Sequence, residues 1–191
     1  MELDNLTRCS WCTSHPLYIK YHDEEWGHPN YDDRFLFEML TLEGAQAGLS
    51  WFTILAKREN YKKAFNNFDA EIVAEYEEEI IQQLMQNPGI VRNQLKIRST
   101  VNNAKQILRL QNDGVNFSNY IWQFTEGKPI HHHIKNFKEI PANNSLSDKM
   151  SKDLKAKGFK FVGTTICYAF MQAVGMFNDH IETCWKYNND H

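Results

Sequence analysis

The 191-residue sequence contains no apolar run near the ~20 residues that a membrane-spanning helix requires. Its opening, MELDNLTRCS, has neither the basic start nor the apolar middle of a secretory signal. Both absences point to a cytoplasmic protein with no membrane partner. Cysteine is scarce, four residues in all, so no disulfide framework is implied, and a chain of this length buries a core without one. One domain spanning residues 1–191 follows. Alternating strand patterns are nearly missing, the best being LYIKY at 17–21. No internal repeat or low-complexity tract is present. Net positive charge is also lacking: the balance is −3, which argues against a nucleic-acid partner until the charges are located.

Located, they separate. Residues 69–79 carry Asp69, Glu71, Glu75, Glu77, Glu78 and Glu79 without a base, and residues 92–109 carry Arg92, Lys96, Arg98, Lys105 and Arg109 without an acid. Lys149, Lys152, Lys155, Lys157 and Lys160 form a second basic stretch. A phosphate backbone responds to such local patches rather than to the total. Solvated helix faces are the plainer reading of either stretch alone.

Helical spacing dominates what remains, and the fold class is all-α. Asp32 or Asp33 caps a helix carrying Phe35, Leu36, Met39 and Leu40, Gly48 ends it, and Ser50 caps the next. Ile97, Val101, Ala104 and Leu108 mark one face of an amphipathic helix. Ser118 caps a short helix and Ser147 a longer one that Gly158 closes. The final helix runs from about 163 to 175. Between them lies a polar connection, about 126 to 146, whose triplet His131–His133 reads as surface.

Three groups of residues carry chemistry. In KAKGFKFVGTTICYAFMQAVG, 155–175, one helix ends at Gly158 and another opens at Gly163. Free N–H groups of Gly163, Thr164 and Thr165 at that positive helix end would hold a phosphate oxygen, with Lys160 adding charge; an ordinary helix corner is the alternative. His180 and Cys184, at i and i+4, with Cys9 and His22 near the other terminus, are either a closed Cys₂His₂ zinc site pinning the chain ends or core residues with inert thiols. The third group is Tyr18, Tyr21, Trp26 and Trp51, core rings by default. They flank TLEGAQAGLSW, 41–51, where Gly44 and Gly48 cost helix stability beside the lone acid Glu43. That combination suggests that something flat and cationic approaches this segment.

Taken in order, RCSWCTSHPLYIKYHDEEWG, LEGAQAGLSWFTIL, NPGIVRNQLKI, GFKFVGTTICYAFMQAVG and NDHIETC resemble the DNA-3-methyladenine glycosylase I family from about residue 7 to 184. The resemblance implies a helix-hairpin-helix glycosylase with two helical lobes, the base pocket between them, and one structural zinc per chain. It implies removal of 3-methyladenine from double-stranded alkylated DNA, and a monomer is the default for an enzyme that must travel along duplex. By position, Cys9, His22, His180 and Cys184 match the zinc ligands. Glu43, Tyr21, Trp26 and Trp51, with Tyr18 nearby, match the base pocket, and Gln46 and Leu49 match the loop that fills the gap in the duplex. Glu43 is the candidate catalytic residue, as a base through water or as a recognition group. Many helix-hairpin-helix relatives place a nucleophilic lysine where Thr165 stands, so no strand nicking is expected. The aspartate those relatives use has no assigned counterpart, since Asp179 lies beside a candidate zinc ligand. On this reading, close approach of DNA and base explains Gly44 and Gly48. A zinc-stabilised DNA-binding protein without catalysis is the alternative. A hydrolytic metalloenzyme is disfavoured because four ligands close the metal.

Overall fold

A computed structural model describes residues 6–188; residues 1–5 and 189–191, at the two ends of the single-domain reading, lie outside the described part. Ten α-helices and two very short strands are present among the described residues. Helix α1, Pro16–Glu24, starts with proline at its first position, and His15 Nδ1 accepts from the Leu17 N–H at 3.0 Å. The strand pattern at 17–21 is thus helical: its side chains bury Tyr21 and His22 on one face. Proline at the first helical position costs no hydrogen bond, which favours this outcome.

Helix α2, Asp33–Gln46, is the central element. Asp32 caps it by accepting from the Phe35 N–H at 2.8 Å, and every residue from Leu36 to Ala45 is buried. A helix apolar almost all round belongs in a core. Ser50 caps α3, Trp51–Leu55, and α4 covers Arg58–Ala64. Arg58 grips Glu38 of α2 through Nε at 2.7 Å and Glu25 at 2.6 Å, which ties α1, α2 and α4 at one buried point. Asp69 caps α5, Ala70–Ala74. Helix α6, Glu78–Gln86, packs along α7, Gln94–Asn112, where Arg98 meets Glu78 at 2.7 Å. The acidic and basic stretches therefore partly neutralise each other.

Two caps differ from expectation. Asn116, rather than Ser118, caps α8, Phe117–Trp122, while the Ser118 N–H donates to Asp33 at 2.8 Å. Asn144, rather than Ser147, caps α9, Ser145–Ala156, and Ser147 completes a reciprocal capping box three residues in. Asparagine competes as well as serine for such positions, so the nearer polar residue was misjudged. Helix α10, Thr164–Ala173, is shorter than expected because Gly175, at φ 75°, lies past its end, pressed against the His28–Pro29 backbone.

The all-α description needs one amendment. Strand β1, Ile130–His131, pairs in parallel with β2, Phe177–Asn178, and Ile134 bridges Ile181. The histidine triplet is therefore not plain surface: His132 is half-buried against Asp179 at 2.5 Å. Buried apolar side chains form two clusters. The larger comes from α2–α10. The smaller joins Cys9, Tyr21, Trp26, Leu55 and Cys184, bringing both chain ends together.

Candidate active site

The turn between α9 and α10 is held by side chains of other helices. Asn102 donates to the Gly158 carbonyl at 2.8 Å, Asn103 bonds both the N–H and the carbonyl of Lys160, and Ser151 donates to the Val162 carbonyl at 2.6 Å. Gly158 takes φ 89° and Phe161, unusually for a side-chain-bearing residue, φ 53°. Gly163 opens α10 with no side chain over it and no atom within 4 Å of the Cβ it lacks. The Thr164 hydroxyl is engaged by Asp148 and Ser147. Among the described residues, the backbone N–H groups of Gly163, Thr164 and Thr165 have no recorded acceptor and remain available at a positive helix end.

Helix α2 also meets a cavity of about 370 Å³. Tyr18, Tyr21, Trp26, Glu43, Gln46 and Trp51 all line it, so five residues expected at a base pocket and one expected at DNA converge there. Tyr21 and Trp51 lie 5.4 Å apart between ring centroids. Glu43 is 5% exposed, and among the described residues its carboxylate has no recorded hydrogen bond or ion pair. Burial alone pushes its carboxyl up to about 8. Tyr21 is pushed up as well, by burial first and then by Glu43. The cavity wall thus holds a buried acid among aromatic rings, and burial disfavours its charged form.

Between α2 and α3 the chain makes an exposed loop. Gly48 adopts φ 79° with nothing near it, which only glycine does cheaply, and Leu49 is 40% exposed at the tip. Lys96 Nζ reaches across from α7 to the carbonyls of Ala45 and Ala47, each at 2.7 Å, and so secures both ends of that turn. Gly44 plays a different part from the one expected. A Cβ there would lie 3.1 Å from the Phe161 Cβ, so this glycine admits the turn before α10.

Cys9, His22, His180 and Cys184 are all buried, and their ligand atoms lie within 4.8 Å of one another. Cys9 Sγ and His180 Nδ1 are 3.8 Å apart, Cys184 Sγ and His180 Nδ1 3.6 Å, and Cys184 Sγ and His22 Nε2 3.5 Å. A tetrahedral ion with sulfur at about 2.3 Å and nitrogen at about 2.1 Å has edges of roughly 3.4–3.8 Å, the range of these three spacings. Each imidazole turns its other nitrogen outward to a fixed partner: His22 Nδ1 to Asp23 at 2.7 Å, and His180 Nε2 to the Trp26 carbonyl at 3.1 Å. That is how ligating histidines are oriented. Cys184 is pulled down, first by its pairing with Cys9, while the same pairing pushes Cys9 up. His180 and Cys184 sit in a turn and not on one helical turn as the spacing implied.

With the geometry in place, comparison with known proteins is decisive. A model of the methyladenine glycosylase family matches residues 11–187. The chain belongs to the methyladenine glycosylase family. The DNA-3-methyladenine glycosylase 1 of Escherichia coli K12 is 48% identical over 95% of this chain and 97% of its own. A crystal structure of a 3-methyladenine DNA glycosylase I superposes with a TM-score of 0.92 at 49% identity, covering 94% of this chain and 98% of that one. A second, a variant of such an enzyme in complex with 3-methyladenine, gives 0.92 at 35% identity, covering 96% and 99%.

In this methyladenine glycosylase the cavity also uses residues that the sequence did not single out: Trp11, Phe137, Ile140, Ala169 and Gln172. Trp11 packs edge-on against Tyr18 at 5.6 Å and Trp26 at 5.2 Å, and its indole N–H, like that of Trp51, is buried without a hydrogen-bond partner. Its place two residues after Cys9 was the available signal. Phe137 and Ile140 arrive from the connection that read as merely polar. Asp179 is wholly buried and takes hydrogen bonds from Tyr168 and Gln172, each at 2.7 Å, behind the cavity wall. No helix among the described residues is long and apolar enough to cross a membrane.

Proposed function

We propose that the protein is a monofunctional DNA glycosylase that hydrolyses the N-glycosidic bond of 3-methyladenine in double-stranded alkylated DNA, leaving an abasic site. The observation that carries this reading is Glu43, a carboxylate with no recorded cationic partner in an aromatic cavity. N3-methylation gives adenine a positive charge and already weakens its bond to the sugar. Such a substrate chiefly needs capture of a base that has left the stack. Tyr18, Tyr21, Trp26 and Trp51 would offer ring faces, each contributing about 0.5–2 kcal/mol to a desolvated cation. Glu43 would offer negative charge and an acceptor to the exocyclic amine. Neutral adenine gains less from both.

The N–H groups of Gly163, Thr164 and Thr165, with Lys160, are assigned to one phosphate, which makes α9–α10 a helix-hairpin-helix element joining two helical lobes. Gln46 and Leu49 are assigned to the gap left in the duplex. Thr165 supplies no amine, so no Schiff base and no strand cleavage follow. Cys9, His22, His180 and Cys184 are assigned as ligands of one structural zinc ion. When bound, that ion supplies no chemistry to the base; it fixes the backbone of Tyr21 and Trp26 through His22 and His180. The enzyme acts as a cytoplasmic monomer.

The test is to incubate the protein with methylated duplex DNA. Free 3-methyladenine with abasic, unbroken strands is expected. Tight duplex binding with no base released would favour a zinc-stabilised binding protein instead.

A further inference from the structure

Gln172 lines the cavity from α10, but its amide is not free to turn. Nε2 donates to Asp179 Oδ2 at 2.7 Å. Asp179 is fully buried, and it also meets the Tyr168 hydroxyl at 2.7 Å and His132 at 2.5 Å. A carboxylate so placed accepts, so the Gln172 NH₂ group must face it. The carbonyl Oε1 is then left on the other side, with no recorded hydrogen-bond partner among the described residues. A polar wall group in a cavity lined mostly by apolar and aromatic side chains fixes ligand orientation.

We propose that Gln172 is a second base-reading residue, presenting Oε1 as an acceptor to the exocyclic amine, with Asp179 as the positioning residue that sets the amide's direction. The inference rests on the glycosylase reading above. An adenine methylated at N3 and attached through N9 carries N–H hydrogens only on that amine, and there are two of them. Glu43 and Gln172 are two acceptors. A guanine-type base presents a carbonyl oxygen at the same edge, where two acceptors repel it. The arrangement therefore selects adenine over guanine by lone pairs as well as by shape.

The test compares 3-methyladenine with 3-methylpurine, which lacks the amine, by tryptophan fluorescence titration. Gln172→Met is expected to weaken 3-methyladenine about tenfold, the size of one lost hydrogen bond in a dry site. Its affinity for 3-methylpurine should not change, nor its melting temperature by more than a few degrees. Should Gln172→Met fail to fold, Gln172→Ser withdraws the carbonyl while keeping the position polar, and the same split is expected. Equal losses for both bases, or no loss for either, overturn the proposal. If the unmodified protein binds neither base, the glycosylase reading fails first.

Discussion

Gly44 and Phe161 are packed so closely that the Cβ missing from Gly44 would lie 3.1 Å from the Cβ of Phe161 and 3.4 Å from its carbonyl oxygen. The helix bearing Glu43 and the turn assigned to phosphate are thus in direct contact. Alanine at 44 gains about 1 kcal/mol of helix preference. It also overpacks a turn that Asn103 and Ser151 hold in place, and overpacking costs typically 1–3 kcal/mol. Gly44→Ala is therefore expected to lower the melting temperature by several degrees and slow base release from DNA. A rise in melting temperature would show that Phe161 yields freely.

Arg58 is buried between Glu38 and Glu25, and removing one partner of a buried ion pair strands the others. Arg58→Met should cost about 3–5 kcal/mol in urea unfolding. It would also loosen α1 against α2, and hence the cavity between them. A loss below about 1 kcal/mol would mean that the carboxylates relax to water.

The four buried side chains Cys9, His22, His180 and Cys184, assigned above to zinc, predict one zinc per chain in purified protein, found by elemental analysis. Cys184→Ser and chelation should each lower the melting temperature, with the aromatic cavity losing affinity only as Trp26 and Tyr21 move. A metal-free protein of undiminished stability would refute the structural assignment.

Glu43 gives a pH dependence with a definite sign. Its carboxyl is raised from 4.5 to about 8, so the folded state holds a proton that the unfolded chain has released across that window. Its stabilising effect is complete below about 4.5 and lost as pH rises through about 8. Glu43→Gln should remove that decline, making the unliganded protein more stable than its parent at pH 8 by on the order of 3 kcal/mol. Base release has the opposite trend: a cationic base needs the ionised form, so the rate should climb towards pH 8 in the parent and stay flat in the variant. Identical pH profiles for both proteins would remove Glu43 from the chemistry.

Much of the site was legible because its chemistry needs residue types that have few other uses together. Two cysteines and two histidines at opposite chain ends converge as expected, although through a turn that i, i+4 spacing mimics. Glu43 stood out as one acid in an apolar helix. Gly44 was misread because a glycine shows only that something comes close, never what. The places of Gln172 and Trp11 in the cavity wall were illegible since they depend on Asp179 and on the folding back of the N-terminal segment, which are tertiary facts. LYIKY carries a strand-like alternation yet is helical, because a short alternating run also fits one turn of helix behind a proline. The fold class survived these errors, for long periodic segments such as α7 outweigh local ones.

The most direct measurement is the affinity of the unmodified protein and of Glu43→Gln for an N3-methylated, positively charged adenine and for plain adenine. The parent should prefer the charged base by at least about a hundredfold, roughly 2.7 kcal/mol, and the variant should lose most of that preference while still folding. Equal affinity for the two bases in the parent would contradict the account at its centre.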